Sequence, residues 1–157
     1  MSSVTDVHYE THMQSLRDAC LRERFSKNIS RANILIAEDM SEIYNLDSPY
    51  DNWVDFETDL AQISQIVLLM AESTGSFVEL GAFSIINEIR EKLFVVVRSD
   101  HLNRGGFIAN GIKPYLDAHQ PGSVFALEDD FVGIKGDDFS KVDPDKLSAV
   151  LSEHLNK

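Results

Sequence analysis

The run Leu93-Phe94-Val95-Val96-Val97, set between Lys92 and Arg98, constrains this chain more than any other stretch. Its β-branched residues favour extended backbone, and an unbroken apolar run does not suit a sheet with one wet face. It predicts a central parallel strand covered on both sides. Parallel strands need crossover connections, usually helices. Similar short apolar runs recur at 32–37 (ANILIA), 66–70 (IVLLM) and 123–127 (SVFAL). Helical spacing fills the intervals. Met13, Leu16, Cys20, Leu21 and Phe25 mark a helix over about 12–25, and Phe56, Leu60 and Ile63 mark a second. Further helices are expected over 77–90 and 112–119. At the end, Asp143 offers an N-cap, Pro144 a first helical position, and Leu147, Val150, Leu151 and Leu155 one apolar face. The segment DSPYDNWVD reads as a loop, 99–106 as a polar loop closing on Gly105-Gly106, and EDDFVGIKGDDF as a solvated loop with a short strand at 131–134. The alternation predicts an α/β protein. The expected form is a single flavodoxin-like (Rossmann-like) domain over 1–157, with a mostly parallel four- to five-stranded sheet and helices on both faces.

A chain of 157 residues with 43% apolar content can bury a substantial core. Its formal charge of −12 repels phosphate backbones, so broad, direct nucleic-acid binding is not expected. Arg90, Lys92 and Arg98 are close enough in sequence to form a local basic patch. The lone Cys20 excludes an internal disulfide and fits a reducing compartment. The N-terminal residues MSSVTDVHYETH lack a basic-then-apolar signal pattern, and no apolar run approaches the ~18 residues of a membrane span. These features predict a cytoplasmic protein. The histidines are scattered, so no metal site is expected, and no cofactor is indicated.

In a parallel sheet, ligands bind outside the carboxyl ends of the strands. Three segments fall there: Glu38-Asp39, Ser73-Thr74-Gly75-Ser76 and 99–106. Just beyond the second, Glu79 sits among Phe77, Val78, Leu80, Gly81, Ala82 and Phe83. The pattern Ser76-x-x-Glu79 fits a capping box, in which the glutamate reaches back to the N-cap N–H. A carboxylate in apolar surroundings is also a stronger nucleophile, or titrates nearer neutrality, than one in water. The local pattern leaves both roles open.

The stretch SQIVLLMAESTGSFVELGAF resembles the signature of the nucleoside 2-deoxyribosyltransferase family: a strand, a small-residue glycine loop, then glutamate in E-L-G. It resembles more closely the deoxyribosyltransferase-like effectors of bacterial retron anti-phage systems. ILIAEDM, KLFVVV and GGFIANGIKPYL extend the likeness to about 32–116. The resemblance implies N-glycosidic chemistry on a nucleoside, nucleotide or NAD, with Glu79 attacking the anomeric carbon. It implies that Ser73, Thr74, Gly75 and Ser76 hold the sugar or its phosphate. It also implies a homo-oligomer, regulated by a reverse transcriptase and its DNA–RNA product. Many of the transferases carry aspartate two residues before the glycine, where this chain has Ser73, and that departure leans towards hydrolysis. Glu38, Asp39 and Asp59 are candidates to hold or protonate the base, Trp53 and Tyr50 to stack on it, and Asn110 and His101 lie near the expected cleft.

Two rival classes compete. ILIAEDM and Lys113-Pro114 resemble parts of response-regulator receiver domains, but those need an aspartate ending the third strand, and the comparable run here ends in Met70-Ala71. A non-catalytic nucleotide sensor, or a subunit working only in an assembly, would use Glu79 only as a cap.

Overall fold

The computed structural model describes residues 15–22, 34–40 and 49–155. At its centre, β1 (Val67–Ala71), β2 (Leu93–Arg98) and β3 (Val124–Leu127) form a parallel sheet in the order β1-β2-β3. Leu69 lies beside Val95 in the first ladder, and Val95 beside Val124 in the second. The central strand is the one with the valine run. Leu93, Val95 and Val97 are fully buried, and Val96 is 1% exposed. The two-residue period sends Leu93, Val95 and Val97 to one core, with Leu80, Phe83, Ile89, Ile112 and Leu116. Val96 goes to the other, with Leu16, Ala19, Leu127, Leu147 and Leu151. Each fully buried Val or Leu contributes about 1.5–3 kcal/mol relative to exposure, so both layers depend on this strand.

The first layer contains α2 (Trp53–Ile63), α3 (Thr74–Ile85), α4 (Asn87–Arg90), a π-helical turn (Ile108–Ile112) and α6 (Lys113–His119). The second contains α1 (Leu16–Arg22), α7 (Asp129–Val132) and α8 (Pro144–Leu155). A short helix, α5 (Ser99–Asn103), follows β2 directly. Asp143 caps α8 as the sequence indicates, its carboxylate accepting from the N–H groups of Asp145 and Lys146 at 3.1 Å each. The outer parts of the helix expected over 12–25 lie outside the described residues.

Several expectations are corrected. The sheet has three strands among the described residues rather than four or five. Residues 34–36 of the run expected as a first strand carry no strand pairing, and 37–40 form a 3-10 turn in which the Asp39 N–H donates to the Ile36 carbonyl at 3.1 Å. Leu35 is 54% exposed, so this segment lacks the two-sided cover that its apolar composition implied. Positions 32 and 33 lie outside the described residues. The segment 99–106 opens as a helix rather than a loop.

The strand expected at 131–134 is replaced by α7 and its terminus. Gly133 adopts φ +87° there, and a Cβ on it would come 2.4 Å from the Lys141 carbonyl oxygen. Only glycine fits that left-handed, crowded stop, which ends the helix.

The helix expected over 77–90 breaks at Ile86, which is extended at φ −90° and ψ 113°. The Arg90 guanidinium stitches the break. It donates from Nη1 to the Ser84 carbonyl at 3.3 Å and the Tyr115 hydroxyl at 2.9 Å, and from Nη2 to Asn87 Oδ1 at 2.6 Å. A cation against the last carbonyls of α3 complements the helix dipole.

Candidate functional site

At the carboxyl end of β1, a tight turn starts α3. Ser73 is the N-cap, and its Oγ accepts from the Ser76 N–H at 3.2 Å. The Ser76 hydroxyl accepts from the N–H groups of Ser73 and Glu72 at 2.9 and 3.0 Å. The capping box is therefore Ser73 with Ser76, one turn earlier than the Ser76–Glu79 pairing the sequence suggested. That removes the capping role from Glu79, which sits in the second turn of α3. The earlier cap wins because the helix starts at Thr74, so the N–H groups of Glu72, Ser73 and Ser76 are the ones in need of acceptors, and the two serines supply them.

Glu79 is half-buried and engaged by a neighbour. At 100° per residue its surface neighbours on α3 are Gly75, Ser76, Ala82 and Phe83, while Phe77 lies on the opposite flank. Helical Cα–Cβ bonds tilt towards the N-terminus, so the face that Glu79 shares is the one carrying Gly75 and Ser76. Among the described residues a Cβ at Gly75 would meet only Ser73 Oγ, at 3.9 Å, so the space beside Gly75 is open to them. Among the described residues no acceptor meets the backbone N–H of Thr74 or Gly75. Those two donors and the positive end of the helix dipole face the same approach.

Glu72, beside this turn, is used for structure. Its carboxylate accepts from the backbone N–H groups of Leu16 and Arg17 at 2.8 and 3.2 Å, capping α1 from across the fold. Burial, with a smaller contribution from Glu72, pushes the Cys20 thiol well above its ordinary range and makes it inert.

The remaining candidates divide. Trp53 opens α2 rather than lying in a loop, with Asn52 as N-cap accepting from the Asp55 N–H. Tyr50 and Trp53 stand edge-on to Phe56, at 5.4 and 5.7 Å between ring centroids. The Tyr50 hydroxyl donates to Asp59 at 2.8 Å, and that bond raises the Tyr50 pKa. Asp59 is thus tied to Tyr50. Asp39 is exposed, and of Glu38 only the backbone is described. Asn110 is exposed in the π-helical turn, its amide beside Gly105. His101, which the sequence put near the expected cleft, is half-buried and edge-on to Phe77 at 5.4 Å, which joins α5 to α3.

The structure disperses the expected basic patch. Arg90 is buried at the end of α3, and Lys92 donates to the carbonyls of Gln62 and Ser64 at 2.5 and 2.7 Å. Arg98 lies at the opposite end of β2. There sequence reasoning missed a second polar cluster. Arg98 grips Asp129 with two nitrogens, Nε at 2.9 Å and Nη2 at 2.6 Å, and donates to the Gly136 carbonyl at 2.6 Å. The Asp129 bond raises the Arg98 pKa further. Buried Ser99 donates to Glu128 at 2.6 Å. A usable signal was present: Ser99 and Glu128 each follow directly on the last residue of a strand.

The sequence profile of the family described as "STM3845 retron effector protein" matches residues 13–157. The chain belongs to this retron effector family. Two curated Escherichia coli proteins are similar. One, named "Retron Ec73 putative ribosyltransferase/DNA-binding protein", is 37% identical over 76 residues, covering 48% of this chain and 24% of that protein. The other, named "Retron Ec86 putative ribosyltransferase/DNA-binding protein", is 30% identical over 88 residues, covering 56% of this chain and 29% of that protein. The matched stretches thus span under a third of either relative. Within the retron effector family, the chemistry available to this chain's described residues is that of carboxylates, hydroxyls and backbone donors. Among those residues no group of three or more His, Cys, Asp or Glu side chains could hold a metal ion, and no helix is long and apolar enough to cross a membrane.

Proposed function

We propose that this retron effector breaks the N-glycosidic bond of a nucleoside, nucleotide or NAD, with Glu79 as the nucleophile. The observation that carries the reading is the half-buried Glu79 carboxylate one turn from an open glycine at a helix N-terminus. The relatives' printed names, which speak of ribosyltransferases, support sugar transfer as the reaction class. In the first step a Glu79 oxygen bonds to the anomeric carbon as the carbon–nitrogen bond breaks. The base leaves with that electron pair and takes up a proton. Water then displaces Glu79 in hydrolysis, or a second base does so in transfer.

The N–H groups of Thr74 and Gly75, without acceptors among the described residues, bind the sugar or its phosphate. Ser73 and Ser76 act mainly by holding that turn, since their hydroxyls are already bonded to each other's backbone. Tyr50, Trp53 and Asp59 would recognise the base, with Glu38, Asp39 and Asn110 as further candidates for substrate contact. In the cell the protein serves as a toxic effector in anti-phage defence, as a homo-oligomer restrained by the retron reverse transcriptase and its DNA–RNA product.

The test is base release, followed by chromatography, from NAD, nucleosides and ribo- and deoxynucleotides. Wild type and Glu79→Gln are compared, each with and without the reverse transcriptase and its nucleic acid. Release by wild type and loss in a folded Glu79→Gln is expected. Equal release by both removes Glu79 from the mechanism. Nucleotide binding without release under every condition supports a sensor instead.

A further inference from the structure

Away from Glu79, a cavity of about 260 Å³ opens between β3 and α8, with α7 closing one end. Its apolar walls are Phe125, Leu127, Phe131 and Val150, and its rim carries Glu128 and Glu153. The cavity borders a sheet edge. Val95 donates to the Ser123 carbonyl, so the parallel alternation turns the N–H and C=O groups of Ser123, Phe125 and Leu127 towards β2. Those of Val124 and Ala126 point outward, and among the described residues no further strand pairs with them. The edge has no lysine, proline or bulge to block pairing, and Ala126 is exposed.

We infer that β3 and this cavity dock an extended, basic segment of a partner protein, which adds as a strand beside Val124–Leu127. Main-chain bonds to Val124 and Ala126 would set its register, and an apolar side chain would enter the cavity between Phe125 and Val150. A neighbouring lysine or arginine of the segment would meet Glu128. One Glu128 oxygen accepts from Ser99, and the other is without a donor among the described residues. Charge selects the occupant: Glu128 offers that oxygen at the rim, the whole chain carries −12, and a second copy would bring like charge. Lys146 stands against this field, but its ammonium lies over the Phe131 ring at 5.7 Å. A free amine would fill the cavity yet leave the strand edge unpaired, which favours a peptide. This inference is independent of the Glu79 chemistry.

The probes are two synthetic hexapeptides with alternating valines, one with lysine and arginine at the polar positions and one with glutamate. Both are titrated into the full-length, isotope-labelled protein, and backbone amide shifts are followed. Shifts confined to 124–128 and 150–154 are expected with the basic peptide only. Glu128→Gln keeps an acceptor for Ser99 and should weaken binding about threefold. Ala126→Pro removes one outward donor and should weaken it by up to about tenfold. If Ala126→Pro does not fold, Ala126→Lys, which places a cation on the exposed edge, serves in its place with the same expectation. Equal binding of the acidic peptide, shifts elsewhere, insensitivity to both edge variants, or self-association through β3 would each overturn the assignment.

Discussion

The carboxyl ends of β1 and β2 are adjacent in one sheet, yet they use their polar groups differently. Beyond β2, charge is consumed within the fold: Arg98 is closed onto Asp129 and the Gly136 carbonyl, and Ser99 onto Glu128. Beyond β1, two serines close the turn, and backbone donors past them stay available. Thr74 and Gly75 present N–H groups without acceptors among the described residues, and Glu79 lies beside a gap where Gly75 has no side chain. An acidic residue near a strand end is therefore no mark of a site by itself. What separates the two ends is whether backbone donors and open space remain beside it.

The sharpest way to break this contrast is at Arg98. Replacing it with methionine keeps bulk over Phe139 but strands Asp129, and should cost about 2 kcal/mol in denaturant unfolding while base release per folded molecule stays unchanged. A loss of turnover beyond the loss of folded protein would show that the β2 end takes part in chemistry. Burial, helped by the nearby Glu72, gives a pH signature at Cys20. The buried thiol keeps its proton in the folded state, whereas the unfolded thiol releases it above about pH 8.5. The unfolded state then binds fewer protons, so stability should fall with rising pH, by up to ~1.4 kcal/mol per unit from this group. The Cys20-dependent part of that slope should vanish in Cys20→Ala, as urea midpoints at pH 7.5 and 9.5 would reveal.

Ser73→Ala removes the N-cap of α3 and should lower stability by about 1 kcal/mol, measured as a shift in urea midpoint. Turnover should fall as well, since the turn holds the Thr74 and Gly75 donors. The smallest effect is expected at Gly75→Ala. A Cβ fits there at ordinary contact distance and favours helix, so stability should rise by ~0.5 kcal/mol. Activity should nevertheless drop, because the methyl narrows the approach to Glu79. Stabilisation with full activity would mean the substrate does not pass over Gly75.

Much of this was legible in sequence where one physical cause dominated. The valine run of β2 could be buried on both faces only at the centre of a parallel sheet, and Asp143-Pro144 could hardly begin anything but a helix. The run at 32–37 misled because apolar composition is a statement about burial, and Leu35 has too little around it. The capping box misled because the helix starts three residues earlier than that pattern implied, and Ser73 and Ser76 cap it there. Sequence spacing identified Glu79 but could not weigh the nearer competitor. Arg98 with Asp129, and Ser99 with Glu128, span 31 and 29 residues in sequence, and pairings of that range depend on the sheet register that brings the strand ends together.

The most direct measurement is to trap the sugar on the enzyme. Protein incubated with a 2-deoxy-2-fluoro nucleoside, under whichever conditions give base release, would be digested and its peptides mapped by mass spectrometry. The account predicts a glycosyl adduct on Glu79, absent from Glu79→Gln. Base release with no adduct at Glu79, or an adduct on another carboxylate, would contradict it.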